Sequence, residues 1–515
     1  MPGESARRNL DRRDFLKLAG TVSASLALQQ VLPGAARNSG KQTSQPGVII
    51  VLFDTMSARN LSVYGYPRQT TPNLERFAGR AVVFHSHYSA GNYTVPGTAS
   101  LLTGMYPWTH RAFNQGGLIK REYEQRNFFA LLGADYHRLA FSQNIWANSF
   151  LNQFEPALDD HLPPSSFSDA ALLVGENFEN DLNSAIRVLD TSLLTVENTP
   201  SSLLFGIAER LMYLRRLNGA QGRDYPRGLP SLVDFPLSYR LESLFGGLIS
   251  ECEKLDRLSL AYFHLWSPHE PYRPHVRFAN LFNEDDLEVV TKPDHPLGDH
   301  TPQDSLDRLR RRYDQYIANV DHEFGRLLDH LQETGALDRN YVIVTSDHGQ
   351  LIERGVHGHT NAFLYEPLIH IPLLISVPGQ SAPRDVYSRS GNIDVVPTLL
   401  HLAGQEIPDW CEGKVLPLLE DAVEDPQRSI FSMEAKSNPA FAPLREATIA
   451  MRKGPLKLIS YLGYEGFEEA YELYDIESDP EELADLASAA PAELGRMKEE
   501  LLDNLADANR PYERQ

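Results

Sequence analysis

Polar side chains that could bind a cation follow two apolar, β-branched segments of the sequence. Asp54 follows Gly47–Phe53, and the pair Asp347-His348 follows residues 341–345. An open α/β sheet binds ligands outside the carboxyl ends of its strands, so we expect these side chains to meet at one edge. Two carboxylates and an imidazole form a suitable oxygen and nitrogen set for a divalent cation. The pattern therefore predicts a metal site that includes Asp54, Asp347 and His348.

A hydroxyl group could join this site from the segment 94–104. Pro96 suits a first helical turn and Gly104 suits a helix end, which places Thr94 at or just before a helix N-terminus. Free N–H groups and the helix dipole favour an anion at that place. A metal-bound Thr94 could lose its proton and attack phosphorus or sulfur. The same segment is also compatible with Thr94 acting only as a helix cap.

The elements that must position these groups alternate along the chain. Further short apolar runs at 81–84, 258–264 and 371–377 predict strands, and residues 311–333 show helical spacing of apolar side chains. That helical stripe consists of Tyr313, Tyr316, Ile317, Val320, Phe324, Leu327, Leu328 and Leu331. Alternating strands and helices predict a doubly wound α/β sheet.

Composition excludes several classes of protein. The 515 residues include 69 acidic and 48 basic side chains, for a net charge of −21. The negative electrostatic field of such a protein repels nucleic acid, so no nucleic-acid partner is expected. Cys252 and Cys411 are the two cysteines of the sequence, and no CxxC spacing occurs. A disulfide scaffold and a cysteine zinc site are therefore both excluded.

The first 36 residues have the layout of a removable export signal. A basic region with Arg12-Arg13 precedes a short, weakly apolar run and small residues at 33–36. The paired arginines resemble a twin-arginine signal, which predicts a periplasmic or otherwise exported protein. An ordinary basic N-terminus is the alternative. The apolar run is too short for a membrane span, which needs about 20 residues, and no later segment is apolar enough.

Several motifs together resemble the sulfatase family of the alkaline phosphatase superfamily. They occur in family order at 54–58, 70–74 (TTPNL), 94–107, 267–272 (SPHEPY), 346–349 (SDHG), 392–400 and 472–475. The resemblance implies a large α/β domain at 46–400, interrupted by an insertion at 163–256, and a smaller α+β lobe at 401–515. An export signal at 1–36 would precede them. The resemblance also implies that His269 contacts substrate, with His110 and His359 as further catalytic candidates.

The nucleophile motif departs from the family pattern. Family sulfatases begin it with a Cys or Ser that is converted to formylglycine, and place Arg at its fifth position, whereas this chain has Thr94 and Thr98. Thr109 stands where the family has a basic residue, and the lysine after the second metal strand is missing. Formylglycine expels a bound sulfate by collapsing to an aldehyde. A threonine ester cannot do this, so water must displace the sulfate or phosphate group from it. The Asp54, Thr94, Asp347 and His348 set resembles phosphodiesterases of the superfamily instead.

Two hypotheses follow from these residues. The first is an exported, metal-dependent hydrolase that cleaves a sulfate, phosphate or phosphonate ester through Thr94, on a small-molecule or glycan substrate. Zn²⁺ or Mn²⁺ suits the imidazole ligand, while the family resemblance allows Ca²⁺. The alternative is a catalytically inactive sulfatase-like protein that binds an anion. His264 and His357 are equally compatible with site and scaffold.

Overall fold

The computed structural model describes residues 45–169, 223–232, 237–255, 258–417 and 425–513, apart from the side chains of Glu468 and Glu469. The expected export signal at 1–36 lies outside these ranges. Much of the expected insertion, 163–256, lies outside them as well.

The described chain alternates strands and helices. In chain order the strands are β1 (Gly47–Phe53), β2 (Val82–Phe84), β3 (His87–Tyr88), β4 (His137–Ser142), β5 (Asp160–Leu162), β6 (Ser259–Leu265), β7 (Asn340–Ser346), β8 (Leu351–Glu353), β9 (Val356–Gly358), β10 (Leu373–Ser376), β11 (Arg384–Val386), β12 (Ser390–Gly391), β13 (Ile430–Glu434), β14 (Ala447–Lys453), β15 (Leu456–Tyr464) and β16 (Phe467–Asp475). The helices are α1 (Pro72–Ala78), α2 (Thr94–Thr103), α3 (Pro107–His110), α4 (Phe128–Leu132), α5 (Ile145–Gln153), α6 (Leu241–Glu253), α7 (Gln303–Glu333), α8 (Ala336–Arg339), α9 (Glu366–Ile369), α10 (Val395–Leu402) and α11 (Pro491–Asn509).

Eight strands form the central sheet in the order β11-β2-β10-β7-β1-β6-β4-β5. β1 lies between β6 and β7 and runs parallel to both, while β10 runs antiparallel to β7 and β2. Every residue of β1 is buried, which explains its continuous apolar sequence, because a central parallel strand is covered on both faces. The predicted α/β sheet is confirmed.

The amphipathic helix α7 covers one face of this sheet. All eight residues of its predicted apolar stripe are buried, from Tyr313 to Leu331. The helix starts at Gln303, eight residues before the predicted start, and Leu306 is buried in the added turns. No helix within the described ranges is long and apolar enough to cross a membrane.

The smaller C-terminal lobe is an antiparallel sheet, β13-β14-β15-β16, covered by α11. Met497, Leu501 and Leu505 of the helix share one buried cluster with Leu458 and Leu473 of the sheet. This arrangement confirms the predicted α+β lobe.

Candidate active site

The central strands bring the predicted cation ligands to one edge of the sheet. In the parallel pair β1–β7, Phe53 is level with Ser346, so Asp54 and Asp347 leave neighbouring strands side by side. β6 flanks β1 on its other side, where His264 is level with Leu52. The backbone N–H of Thr55 donates to Asp347 Oδ1 at 3.3 Å, which ties the two strand ends together.

Asp54, Asp347 and His348 form a buried cluster, as predicted. His348 Nε2 lies 3.4 Å from Asp54 Oδ1 and 3.5 Å from Asp347 Oδ2. His348 Nδ1 is 2.9 Å from the carbonyl oxygen of Gly349, to which it donates, so the neutral ring keeps a lone pair on Nε2. The imidazole is therefore oriented as a metal ligand.

His264, which the sequence left open between site and scaffold, lies in this cluster. Its Nε2 lies 3.7 Å from Asp347 Oδ2 and 3.9 Å from Asp54 Oδ2. Asp54 Oδ1, Asp347 Oδ2 and His264 Nε2 are buried and have no hydrogen-bond partner. Asp54, Asp347 and His264 each offer a ligand atom, and these atoms lie within 4.8 Å of one another. Because buried polar atoms are normally paired, the three unpaired atoms fit a bound cation.

The charges of the cluster point the same way. Burial alone would raise the pKa of Asp54, but His269, His348 and His264 outweigh burial and lower it. Burial and then the charge of Asp54 raise the pKa of Asp347 to about 7. Burial lowers the pKa of His264 to about 4. A cation among these groups would favour the ionised form of Asp347, offsetting both its burial and its repulsion from Asp54.

Thr94 is the first residue of α2, directly after the extended cap residue Tyr93. The N-cap is therefore Tyr93, whose side chain makes no capping hydrogen bond. Thr94 Oγ1 lies 3.5 Å from His348 Nε2. Ser89 Oγ donates to the carbonyl oxygen of Asp347 at 2.5 Å, which holds the segment before α2 against the end of β7. The structure thus brings Thr94 to the predicted metal ligands.

Asn144 is a site residue that the sequence analysis missed. It lies just beyond β4, which pairs in parallel with β6, and caps the N-terminus of α5. Its amide nitrogen donates to Asp54 Oδ2 at 2.5 Å and to Thr94 Oγ1 at 3.0 Å. In the sequence, Asn144 stands between a short strand without β-branched residues and the start of a helix. That position predicts a helix cap, but it does not predict a contact with Thr94.

Two of the three predicted catalytic histidines lie beside the cluster. The ring of His359 lies 4.6 Å from the ring of His348 and 4.9 Å from the ring of His269. His269 Nδ1 is 2.7 Å from the carbonyl oxygen of Glu270 and donates to it, which leaves Nε2 free to accept. His359 Nδ1 contacts Gln350 Oε1 at 2.8 Å.

His110 and His357 are placed differently. His110 Nδ1 accepts from the N–H of Ala112 and its Nε2 is 3.0 Å from Ser100 Oγ, so both ring nitrogens are engaged within the α2–α3 region. Burial and then Arg111 lower the pKa of His110 to about 3. His357 Nε2 contacts the hydroxyl of Tyr272 at 3.2 Å. These contacts suit a scaffold role, and the catalytic role of His110 stays a prediction.

Comparison with known proteins gives consistent matches. A family model described as Sulfatase matches residues 46–405, and one described as N-sulphoglucosamine sulphohydrolase, C-terminal, matches residues 355–510. The choline-sulfatase of Rhizobium meliloti (strain 1021) is 26% identical over 467 residues, covering 89% of this chain and 83% of that protein.

Solved structures of two phosphonate monoester hydrolases share the fold. The enzyme from Agrobacterium radiobacter superposes with a TM-score of 0.63 at 21% identity, and that from Silicibacter pomeroyi with a TM-score of 0.62 at 20% identity. Each superposition covers 90% of this chain and 96% of the other.

Proposed function

Because the chain belongs to the sulfatase family, whose model matches residues 46–405, we propose that it is a metal-dependent ester hydrolase with Thr94 as its nucleophile. One observation carries this proposal: Thr94 Oγ1 lies at a helix N-terminus, 3.5 Å from His348 Nε2, beside two buried carboxylates with unpartnered oxygens. A hydroxyl so placed is suited to attack an ester.

Asp54, Asp347 and His348 would hold the divalent ion together with Thr94, and His264 would complete the set. The mixed oxygen and nitrogen donors favour Zn²⁺ or Mn²⁺ over Ca²⁺. Such an ion would supply Lewis acidity, favouring the ionised hydroxyl and balancing charge on the ester oxygens. The unpartnered carboxylate oxygens argue against the alternative of an inactive anion-binding protein, which has no need of them.

The ester we favour contains phosphorus, as a phosphonate monoester or a phosphate diester. Threonine cannot form formylglycine, and Cys411 contacts the carbonyl oxygen of Gly104, at the opposite end of α2 from Thr94. The group on Thr94 must then leave by displacement at its central atom, which is the ordinary course of phosphoryl transfer. Family membership and the similarity to a choline-sulfatase favour a sulfate ester as the second candidate.

His269 is the residue we propose to bind the ester oxygens or to protonate the leaving group, with His359 beside it. Their rings lie 4.9 Å apart, and His359 is the link between His269 and His348. Because the site is acidic, an anionic substrate depends on these local groups for capture.

Turnover of four p-nitrophenyl esters tests this proposal: the sulfate, the phosphate monoester, the phosphate diester and the phenylphosphonate, each assayed with Zn²⁺, Mn²⁺ and Ca²⁺. We expect the diester or the phosphonate to be preferred, and Thr94→Ala to abolish turnover while the protein stays folded. Unchanged activity of Thr94→Ala would disprove the nucleophile. Preference for the sulfate would select the second candidate.

We further propose export through the twin-arginine pathway, on the sequence of residues 1–36 alone. Arg12→Lys with Arg13→Lys should keep the protein in the cytoplasm of a bacterial host, measured by cell fractionation. Normal export of the double variant would exclude this pathway.

A further inference from the structure

Asn144 is held in one orientation by the helix that it caps. Its Oδ1 accepts from the backbone N–H groups of Trp146 at 2.9 Å and Ala147 at 3.4 Å. The amide therefore cannot be reversed without losing the cap, so the side facing the cluster is the NH₂ donor. The residue is 1% exposed, and its donor is aimed into a buried site.

The two N–H groups of that donor meet the nucleophile and one carboxylate. The amide nitrogen, Nδ2, lies 3.0 Å from Thr94 Oγ1 and 2.5 Å from Asp54 Oδ2 and donates to both. The second contact occupies Oδ2 and leaves Asp54 Oδ1 as the unpartnered oxygen. The first contact requires Thr94 Oγ1 to accept, so the threonine proton points away from Asn144.

Resting on the proposed function, we propose that Asn144 is a catalytic residue that stabilises negative charge on Thr94 Oγ1, both when this oxygen attacks and when it leaves. A fixed N–H donor in a buried site gains strength as its acceptor becomes anionic. The resemblance to family members with formylglycine implies that there the sulfate is expelled when the residue collapses to an aldehyde. A threonine must instead depart as an alkoxide, and Asn144 supplies the hydrogen bond for that departure.

The two steps balance as a hydrolysis. In the first, a bond forms from Thr94 Oγ1 to the central atom of the ester and the bond to the leaving alcohol breaks; the threonine proton is released and the alcohol gains one. In the second step, water bonds to the central atom while the bond between the central atom and Thr94 Oγ1 breaks. Oγ1 then regains a proton from that water. Oγ1 carries negative charge in both steps, as the deprotonated nucleophile in the first and as the leaving group in the second.

Asn144→Ser tests this inference, because serine is as good a helix cap as asparagine but lacks the amide. Asn127→Ser is the matched control, since Asn127 caps α4 with a hydrogen bond to the N–H of Ala130. We expect kcat of Asn144→Ser on the preferred p-nitrophenyl ester to fall by roughly 100-fold, the usual effect of losing one such donor. Asn127→Ser should keep its kcat.

The covalent intermediate provides a second readout. Because p-nitrophenolate leaves easily, loss of Asn144 should slow the second step more, so a Thr94 adduct should accumulate in acid-quenched Asn144→Ser, measured by peptide mass spectrometry. Bound metal, measured by elemental analysis, should match the wild type. Asn144→Thr, which is uncharged and can also cap the helix, replaces the serine variant if that variant does not fold.

Three results would overturn the inference: a kcat within about threefold of Asn127→Ser, a loss of activity that follows a loss of bound metal, or a slow variant without the adduct. Thr94→Ala separates this failure from failure of the proposed function. If Thr94→Ala is inactive while Asn144→Ser is normal, only the role of Asn144 is wrong. If Thr94→Ala is active, the nucleophile itself is wrong.

Discussion

Gly97 packs so tightly against Asp347 that a Cβ atom on the glycine would lie 2.4 Å from the carbonyl oxygen of Asp347. The first turn of α2, which carries Thr94, therefore lies directly on Asp347, the residue that follows β7. The distance between Thr94 and the cluster depends on this backbone contact.

Gly97→Ala should push α2 away from the cluster. We expect a loss of about 1–3 kcal/mol in the free energy of unfolding, as for other overpacked sites, together with a lower kcat because Thr94 moves. Chemical denaturation and steady-state kinetics measure the two effects. Gly246→Ala in α6 is the control, since a Cβ there meets nothing within 4 Å and should stabilise the helix by roughly 0.5–1 kcal/mol. Equal behaviour of the two variants would contradict the proposed contact.

His264→Asn should weaken metal binding by at least about tenfold, the scale on which such supporting ligands act. The reason is that His264 Nε2 is a buried potential ligand atom that has no hydrogen-bond partner and lies near Asp54 and Asp347. Competition with a chelating dye measures the affinity. His401→Asn, an exposed position on α10, is the control. An affinity equal to that of the control would place His264 outside the ligand set.

Asp347→Asn should stabilise the metal-free protein at pH 8 while removing metal binding. Burial and Asp54 raise the pKa of Asp347 to about 7, far above its unfolded value of 3.8. The folded protein thus binds more protons than the unfolded chain, and its stability falls as pH rises from about 4 to about 7. Asparagine removes that pH dependence, which denaturation of chelator-treated protein at several pH values would reveal. A less stable variant at pH 8 would contradict the shifted pKa, with Asp329→Asn on exposed helix surface as the control.

His110→Gln should reduce stability more than turnover. Both of its ring nitrogens are engaged, so the variant leaves Ser100 Oγ or the N–H of Ala112 without a partner, at a cost of about 1–3 kcal/mol. Because the pKa of His110 falls from 6.5 to about 3 on folding, the unfolded chain binds the extra proton, and stability drops as pH falls through that interval. The variant should show a shallower acid slope. A kcat reduced by about 100-fold with normal stability would instead support the catalytic role.

The sequence by itself determined the fold class and most of the candidate site. Continuous apolar runs predict strands covered on both faces. Polar residues at the ends of such strands are expected at one edge of the sheet, because parallel neighbours end at the same edge. Asp54, Asp347, His348 and Thr94 could therefore be assigned from local pattern and from motif order.

Only the tertiary structure decided which other side chains face these residues. His264 and Asn144 lie on strand ends 120 residues apart in the chain, and their neighbours along the chain resemble those of ordinary core and cap residues. β4 and β6 pair in parallel, so both side chains reach the edge where β1 ends. His110, in contrast, belongs to a family motif, but its two ring nitrogens are engaged by Ser100 and by the N–H of Ala112. Its place is set by the turn from α2 into α3 and not by a strand end. Local pattern predicts the role of a residue within its own element, whereas contacts between elements depend on sheet order and on the packing of α2 against β7.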